Sequence, residues 1–295
     1  MRDRFAYWAF RVVIVLMRPV PLRVAYWIAA NVGAGCYRWV FPRQRRAQQA
    51  NLARVLGTSD QALIDATAER SFRNFGKYVI DVIHYPVMSQ REVRRRLRFD
   101  QWDELEAMRA SGRGIVIATL HFGTWDLGAA ALAAYGFPVH AIAERFDYAP
   151  MNTLVQESRA RLGMTVVPHD RVGANVFRLL RRGDLLATLV DVADNRSAVE
   201  VEFFGARARL NSAPARIALR TGAWVMPAVV LRGPGDDLEI RPIIDASLGE
   251  FTPSGDEEAD VRALTHAIVR SLEPQIRAHP EQWFIMRPIW GSVHS

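Results

Sequence analysis

Gly112-Arg113-Gly114-Ile115-Val116-Ile117-Ala118-Thr119-Leu120-His121-Phe122-Gly123-Thr124-Trp125-Asp126 is the stretch around which the chain is organised. Its apolar, β-branched run, bounded by glycines, reads as a buried strand. The alanine-rich segment from Leu127 to Tyr135 then reads as a helix. His121 falls where the strand ends and Asp126 where the helix begins. In an open α/β sheet, that carboxyl edge is where ligands bind.

The spacing carries a chemical argument. The intervening residues include a glycine and can fold back between strand and helix. Asp126 can then accept a hydrogen bond from one imidazole nitrogen and leave the other free as a base. A hydroxyl held against that free nitrogen becomes a nucleophile. Unpaired backbone N–H groups near Gly123, at the helix start, would face developing negative charge. A purely structural reading uses the same residues, with Asp126 as the helix N-cap and His121 as a hydrogen-bonded core histidine.

With 295 residues, half of them hydrophobic, the chain can bury a large core, and neither a polar low-complexity block nor an internal repeat divides it. The formal charge of +7 rests on arginine, with Lys77 the only lysine. That balance favours anionic partners such as phospholipid headgroups, nucleic acid or acidic substrates. A single cysteine, Cys36, excludes an internal disulfide framework and a cysteine-rich metal site. The seven histidines offer no ligand spacing with a second histidine or cysteine, so no metal is implied. Gly33 stands where a lipoprotein cleavage box before Cys36 would want an aliphatic residue, so a cytoplasmic body fits better.

Phe5 to Met17 and Leu22 to Phe41 are apolar runs broken by Arg11, Arg23 and Arg38 and rich in Trp and Tyr. Such helices suit a membrane interface, and a spanning helix is allowed but not compelled. Arg43, Arg45 and Arg46 would there meet anionic headgroups. Gln61 to His84 has helical apolar spacing, and the five arginines between Arg91 and Arg98 make either a solvated face or a second headgroup contact.

Further on, strands are predicted at Pro138 to Ala143, Thr165 to Pro168 and Leu185 to Val190, with helices at Met151 to Leu162 and Ala174 to Arg182. This alternation signals a largely parallel sheet. Glu144 and Asp191 each follow an apolar strand, which places them on the same edge as His121. Val199 to Gly205 alternates like a half-exposed strand. A helix at Pro214 to Thr221, strands at Ala223 to Leu231 and Leu238 to Ile243, and an amphipathic helix from Asp260 to Ala278, interrupted by Pro274, complete the reading.

An ordered set of motifs now stands out. It comprises His121-x4-Asp126, Ala143-Glu144-Arg145, Arg159 ahead of Leu162-Gly163, Asp191, Phe203-Phe204-Gly205, Pro214-Ala215-Arg216 through Gly222-Ala223, and Pro280-Glu281-Gln282-Trp283. From about Arg45 to Trp290 the chain resembles the bacterial lipid A biosynthesis acyltransferase family, nearest its phosphatidylinositol mannoside branch. It departs from the family pattern at Asn211-Ser212-Ala213, Met286 and Pro288.

The resemblance implies an α/β fold of the glycerolipid-acyltransferase-like αβα kind, a mostly parallel central sheet flanked by helices. An N-terminal membrane-associating helical segment, residues 1–45, would precede an acyltransferase domain, residues 46–295. It further implies transfer of an acyl group from acyl carrier protein or coenzyme A thioester to a membrane glycolipid hydroxyl. That acceptor would be of the lipid A precursor or phosphatidylinositol mannoside type, met at the cytoplasmic face of the bacterial inner membrane by a peripheral or single-span protein.

His121 and Asp126 would be catalytic, Glu144, Arg159 and Asp191 substrate-binding, and Asp191 or Glu144 could instead support His121 by a hydrogen bond. No metal or resident cofactor is expected. Two other readings stay open, a lysophospholipid acyltransferase and a non-catalytic basic membrane-binding protein on the same fold. No familiar nucleic-acid motif occurs, which favours lipid over nucleic acid.

Overall fold

The structure, a computed structural model, describes residues 2–17, 19–143, 147–169, 172–194 and 197–290. Its centre is the expected strand β1 (Ile115–Thr119), buried at every position. The strands β2 (Val139–Ala143), β3 (Thr165–Pro168), β4 (Leu185–Leu189), β7 (Trp224–Arg232) and β8 (Ile240–Ile244) join it in the order β3-β2-β4-β1-β7-β8. All neighbours run parallel except β7 and β8. β5 (Ala198–Phe203) and β6 (Ala206–Asn211) form a separate antiparallel hairpin. The expected α/β class is therefore observed, with one antiparallel edge.

Alternation along β1 decides what each face meets. Val116 and Ala118 pack with Leu186, Val225 and Val229 against α11 (Glu257–Ala278) through Leu264, Ile268 and Leu272. Ile115 and Ile117 pack on the other face with Leu185, Met226 and Ala228 against Leu105 and Met108 of α6 (Trp102–Ala110). Helices α7 (Trp125–Ala134), α8 (Ala149–Arg161), α9 (Ala174–Arg181) and α10 (Ala213–Thr221) connect the strands. Pro274 does not interrupt α11 as expected. Its missing N–H costs one bond near the helix end, and the buried stripe Leu264, Ile268, Leu272 and Ile276 holds the helix across it.

The N-terminal helices α1 (Arg2–Met17), α2 (Leu22–Gly35), α3 (Pro42–Leu56), α4 (Gln61–His84) and α5 (Gln90–Arg96) lie against this body. The backbones of α2 and α4 touch at two glycines. A Cβ on Gly33 would stand 2.4 Å from the Phe72 carbonyl oxygen, and one on Gly76 2.4 Å from that of Ala29. Among the described residues no helix is long and apolar enough to cross a membrane.

Candidate active site

His121 lies two residues beyond β1, and Asp191 two residues beyond β4. The strands are neighbours, with Thr119 opposite Leu189 and the Val190 N–H bonded to the Thr119 carbonyl at 2.8 Å. Continuing that register brings the two side chains face to face. His121 Nδ1 lies 2.9 Å from Asp191 Oδ1, and Asp191 Oδ2 accepts the His121 backbone N–H at 2.9 Å and the Trp283 indole N–H at 3.1 Å. Asp191 is 1% exposed.

A carboxylate only accepts, so Nδ1 carries the proton and Nε2 is left as the base. Burial works to lower the imidazole pKa, but the charge of Asp191 and its hydrogen bond outweigh it. His121 is thus held above the ordinary histidine value, with Arg287 acting against the shift and Asp126 with it.

The expected hydrogen bond from the imidazole to Asp126 is not formed. Asp126 is the second residue of α7, and its Oδ2 accepts from Arg159 Nη2 at 2.8 Å and from the Tyr78 hydroxyl at 3.3 Å. Local spacing set Asp126 near His121, whereas the adjacent strand set Asp191 against it. Nor is Asp126 the N-cap, a position held by Thr124 without a side-chain bond. The Asp126 charge raises the Arg159 pKa further against the burial that opposes it, and burial above all pushes the Tyr78 hydroxyl well up.

Three of the backbone donors near Gly123, expected to be free, are committed. The N–H groups of Phe122, Gly123 and Thr124 bond to the carbonyls of Leu120, Gln282 and Val230 at 2.7, 2.8 and 2.8 Å. Gly123 is required here. Its φ is +56°, and a Cβ would sit 2.0 Å from the Val230 oxygen.

A cleft opens at this edge, lined by His121, Asp126, Arg159, Asn211 and Arg287. Behind it an apolar channel runs between α7 and the sheet, lined by Ile117, Leu132, Met226 and Ile244 and reaching Trp102. Thr119, Trp125, Ala129 and Ala187 line both. Of the expected site residues, His121, Asp126, Arg159 and Asp191 gather here, while Glu144 lies outside the described residues, as does Arg145.

Sequence reasoning assigned no site role to Tyr78, Trp283 or Arg287. Trp283 belongs to the Pro280-Glu281-Gln282-Trp283 motif, and that motif was its only signal. The structure explains the motif. The Gly123 N–H bonds to the Gln282 carbonyl and the Phe284 N–H to that of His121 at 2.8 Å, so this segment is stitched to the loop that carries His121. Buried Gln48 and Asn51 on α3 hold it from behind, through the carbonyls of Trp283, Ile285 and Arg287.

Fold and site together define an α/β protein with a histidine–carboxylate pair at the sheet edge, on a cleft backed by an apolar channel. The chain belongs to the bacterial lipid A biosynthesis acyltransferase family, whose sequence model matches residues 1–292. Phosphatidylinositol mannoside acyltransferase of Mycobacterium tuberculosis (strain CDC 1551 / Oshkosh) is 30% identical over 291 residues, 96% of this chain and 88% of that protein. The protein of that name from Mycolicibacterium smegmatis is 27% identical over 245 residues, 81% of this chain and 77% of that protein. The family match takes in the N-terminal helices as well as the motif-bearing span.

Proposed function

We propose that this protein moves a fatty acyl group from an acyl thioester, carried by acyl carrier protein or coenzyme A, onto a hydroxyl of a membrane glycolipid. Its relatives' names support an acceptor of the phosphatidylinositol mannoside type. One observation carries the reading: His121, paired with Asp191, lines a cleft that shares Thr119, Trp125, Ala129 and Ala187 with the apolar channel behind it. The tail lies in the channel, the thioester at its neck and the acceptor in the cleft.

His121 Nε2 takes the proton of the acceptor hydroxyl as its oxygen attacks the thioester carbonyl. Asp191 fixes the tautomer and stabilises the imidazolium. The thiolate then leaves with that proton, and no covalent acyl-enzyme is needed. Asp126 holds Arg159 at the cleft wall, where its guanidinium offers charge to a phosphate or carboxylate of the acceptor. The exposed aromatic and arginine residues of α1 to α3 support attachment to the cytoplasmic face of an anionic inner membrane.

Labelled acyl-coenzyme A and acyl-acyl carrier protein, offered with a panel of glycolipids and lysophospholipids, test the reading. Transfer to a mannosylated phosphatidylinositol that disappears in folded His121→Ala is the expected result. Transfer to lysophospholipids alone would replace the acceptor class, and no transfer to any acceptor would leave a membrane-binding protein on this fold.

A further inference from the structure

Thr119 ends β1, and its Oγ1 is a buried hydroxyl with no hydrogen-bond partner, in a residue 8% exposed. Among the described residues that line the apolar channel it is the only one with a hydroxyl, and it also lines the cleft. An unpaired polar group in apolar surroundings is costly, and such groups recur where a ligand completes the bonding. Thr119 also precedes His121 by two, and both side chains line the cleft, Thr119 where it meets the channel.

The reaction needs a donor at that neck. Attack on a thioester carbonyl puts negative charge on its oxygen, which a hydrogen-bond donor held at that neck would stabilise. The N–H groups of His121, Phe122, Gly123 and Thr124 are all committed within the protein. Arg159 Nη2 is tied to Asp126, and its unpaired Nε belongs to the guanidinium assigned above to the acceptor. Thr119 Oγ1 is the unpaired hydroxyl of a residue lining both channel and cleft, and rotation about χ1 can reorient it.

We propose that Thr119 Oγ1–H donates a hydrogen bond to the carbonyl oxygen of the acyl thioester, which makes it a catalytic residue for the reaction proposed above, on which this inference rests. The acceptor oxygen bonds to the carbonyl carbon and its proton passes to His121 Nε2. The C=O π pair moves onto oxygen, held by Thr119, and returns as the C–S bond breaks. The thiolate takes the proton from the imidazolium, so ester and thiol are the products.

Thr119→Val keeps the β-branched shape and removes the donor, while Thr119→Ser keeps the donor. The expected result is a kcat about 10²- to 10³-fold lower for the valine variant, the loss typical of one oxyanion donor. KM for the thioester and the melting temperature stay as in the wild type, and the serine variant returns to within about tenfold. A valine variant within about threefold of wild-type kcat overturns the proposal.

A second measurement needs no turnover. The infrared stretch of a ¹³C-labelled thioester carbonyl in bound acyl-coenzyme A should lie lower in the wild type than in Thr119→Val. Equal frequencies overturn the role of Thr119 even where transfer is seen. A lowered frequency without transfer to any acceptor upholds the contact and sinks only the reaction reading, and failure to bind the thioester sinks both.

Discussion

At the scale of single residues, the site turns on which carboxylate meets His121. Asp191 does, through Nδ1, and its charge is what carries the imidazole above the ordinary value of about 6.5 against the pull of burial. A base works when neutral, so the acid limb of kcat/KM should lie above that value. Asp191→Asn removes the raising charge and leaves the burial, so the limb moves to lower pH while kcat falls by up to about 10⁴-fold through the wrong tautomer. A pH–rate profile checks both, and an unmoved limb would contradict the pairing. Stability follows the same sign. A raised folded-state pKa stabilises fully below about pH 6.5, and that contribution is lost as pH rises through the folded value.

Between elements, a buried polar junction ties the N-terminal helices to the sheet. Asp81 on α4 accepts from Tyr26 on α2 and from Arg232 on β7, and lies 3.4 Å from Arg96 on α5. Arg96 and Arg232 reach further, to the carbonyls of Leu238 and Asp237, each at 2.7 Å. One of the five arginines that read as a solvated face or a headgroup contact is therefore inside the protein. Asp81→Ala strands two buried guanidinium groups and should cost about 3–5 kcal/mol, seen as a lower urea midpoint with an unchanged slope. A midpoint equal to the wild type's would show that the junction contributes nothing.

For the molecule as a whole, charge and exposure point the same way. Trp8, Val12, Val15 and Leu16 on α1, then Val24, Trp27 and Val32 on α2, leave apolar stripes uncovered. Trp39 is 84% exposed and Trp27 69%, with exposed Arg38, Arg43 and Arg46 nearby in sequence. On the proposed membrane attachment, such a surface would bind anionic lipid by apolar insertion plus charge. Pelleting with phosphatidylglycerol-containing vesicles should exceed pelleting with neutral ones and weaken with salt. Replacing Trp27 and Trp39 by glutamate should reduce it about tenfold or more, while acyl transfer to a detergent-solubilised acceptor is kept. Unchanged vesicle binding in the double variant would place the contact elsewhere.

Much of this was local and so legible in the sequence. The apolar run from Ile115 to Thr119, the alternation of Val199, Val201 and Phe203, and the helix Gln61–His84 follow from periodicities of two and of 3.6 that the neighbouring residues alone define. The carboxyl-edge position of His121 and Asp191 was equally readable, because each simply follows its strand. Strand order was not. Nothing in the spacing says that β4 inserts between β2 and β1, and only that placement sets Asp191 rather than Asp126 on the imidazole. The same holds for Gln282, Trp283 and Thr119, whose partners, or lack of one, come from segments far away in the chain. The sequence determined the elements and where the candidate site residues fall on them, since these rest on contacts within a few positions. The tertiary structure decided which of them touch, since hydrogen-bond geometry between distant segments depends on packing that no local pattern encodes.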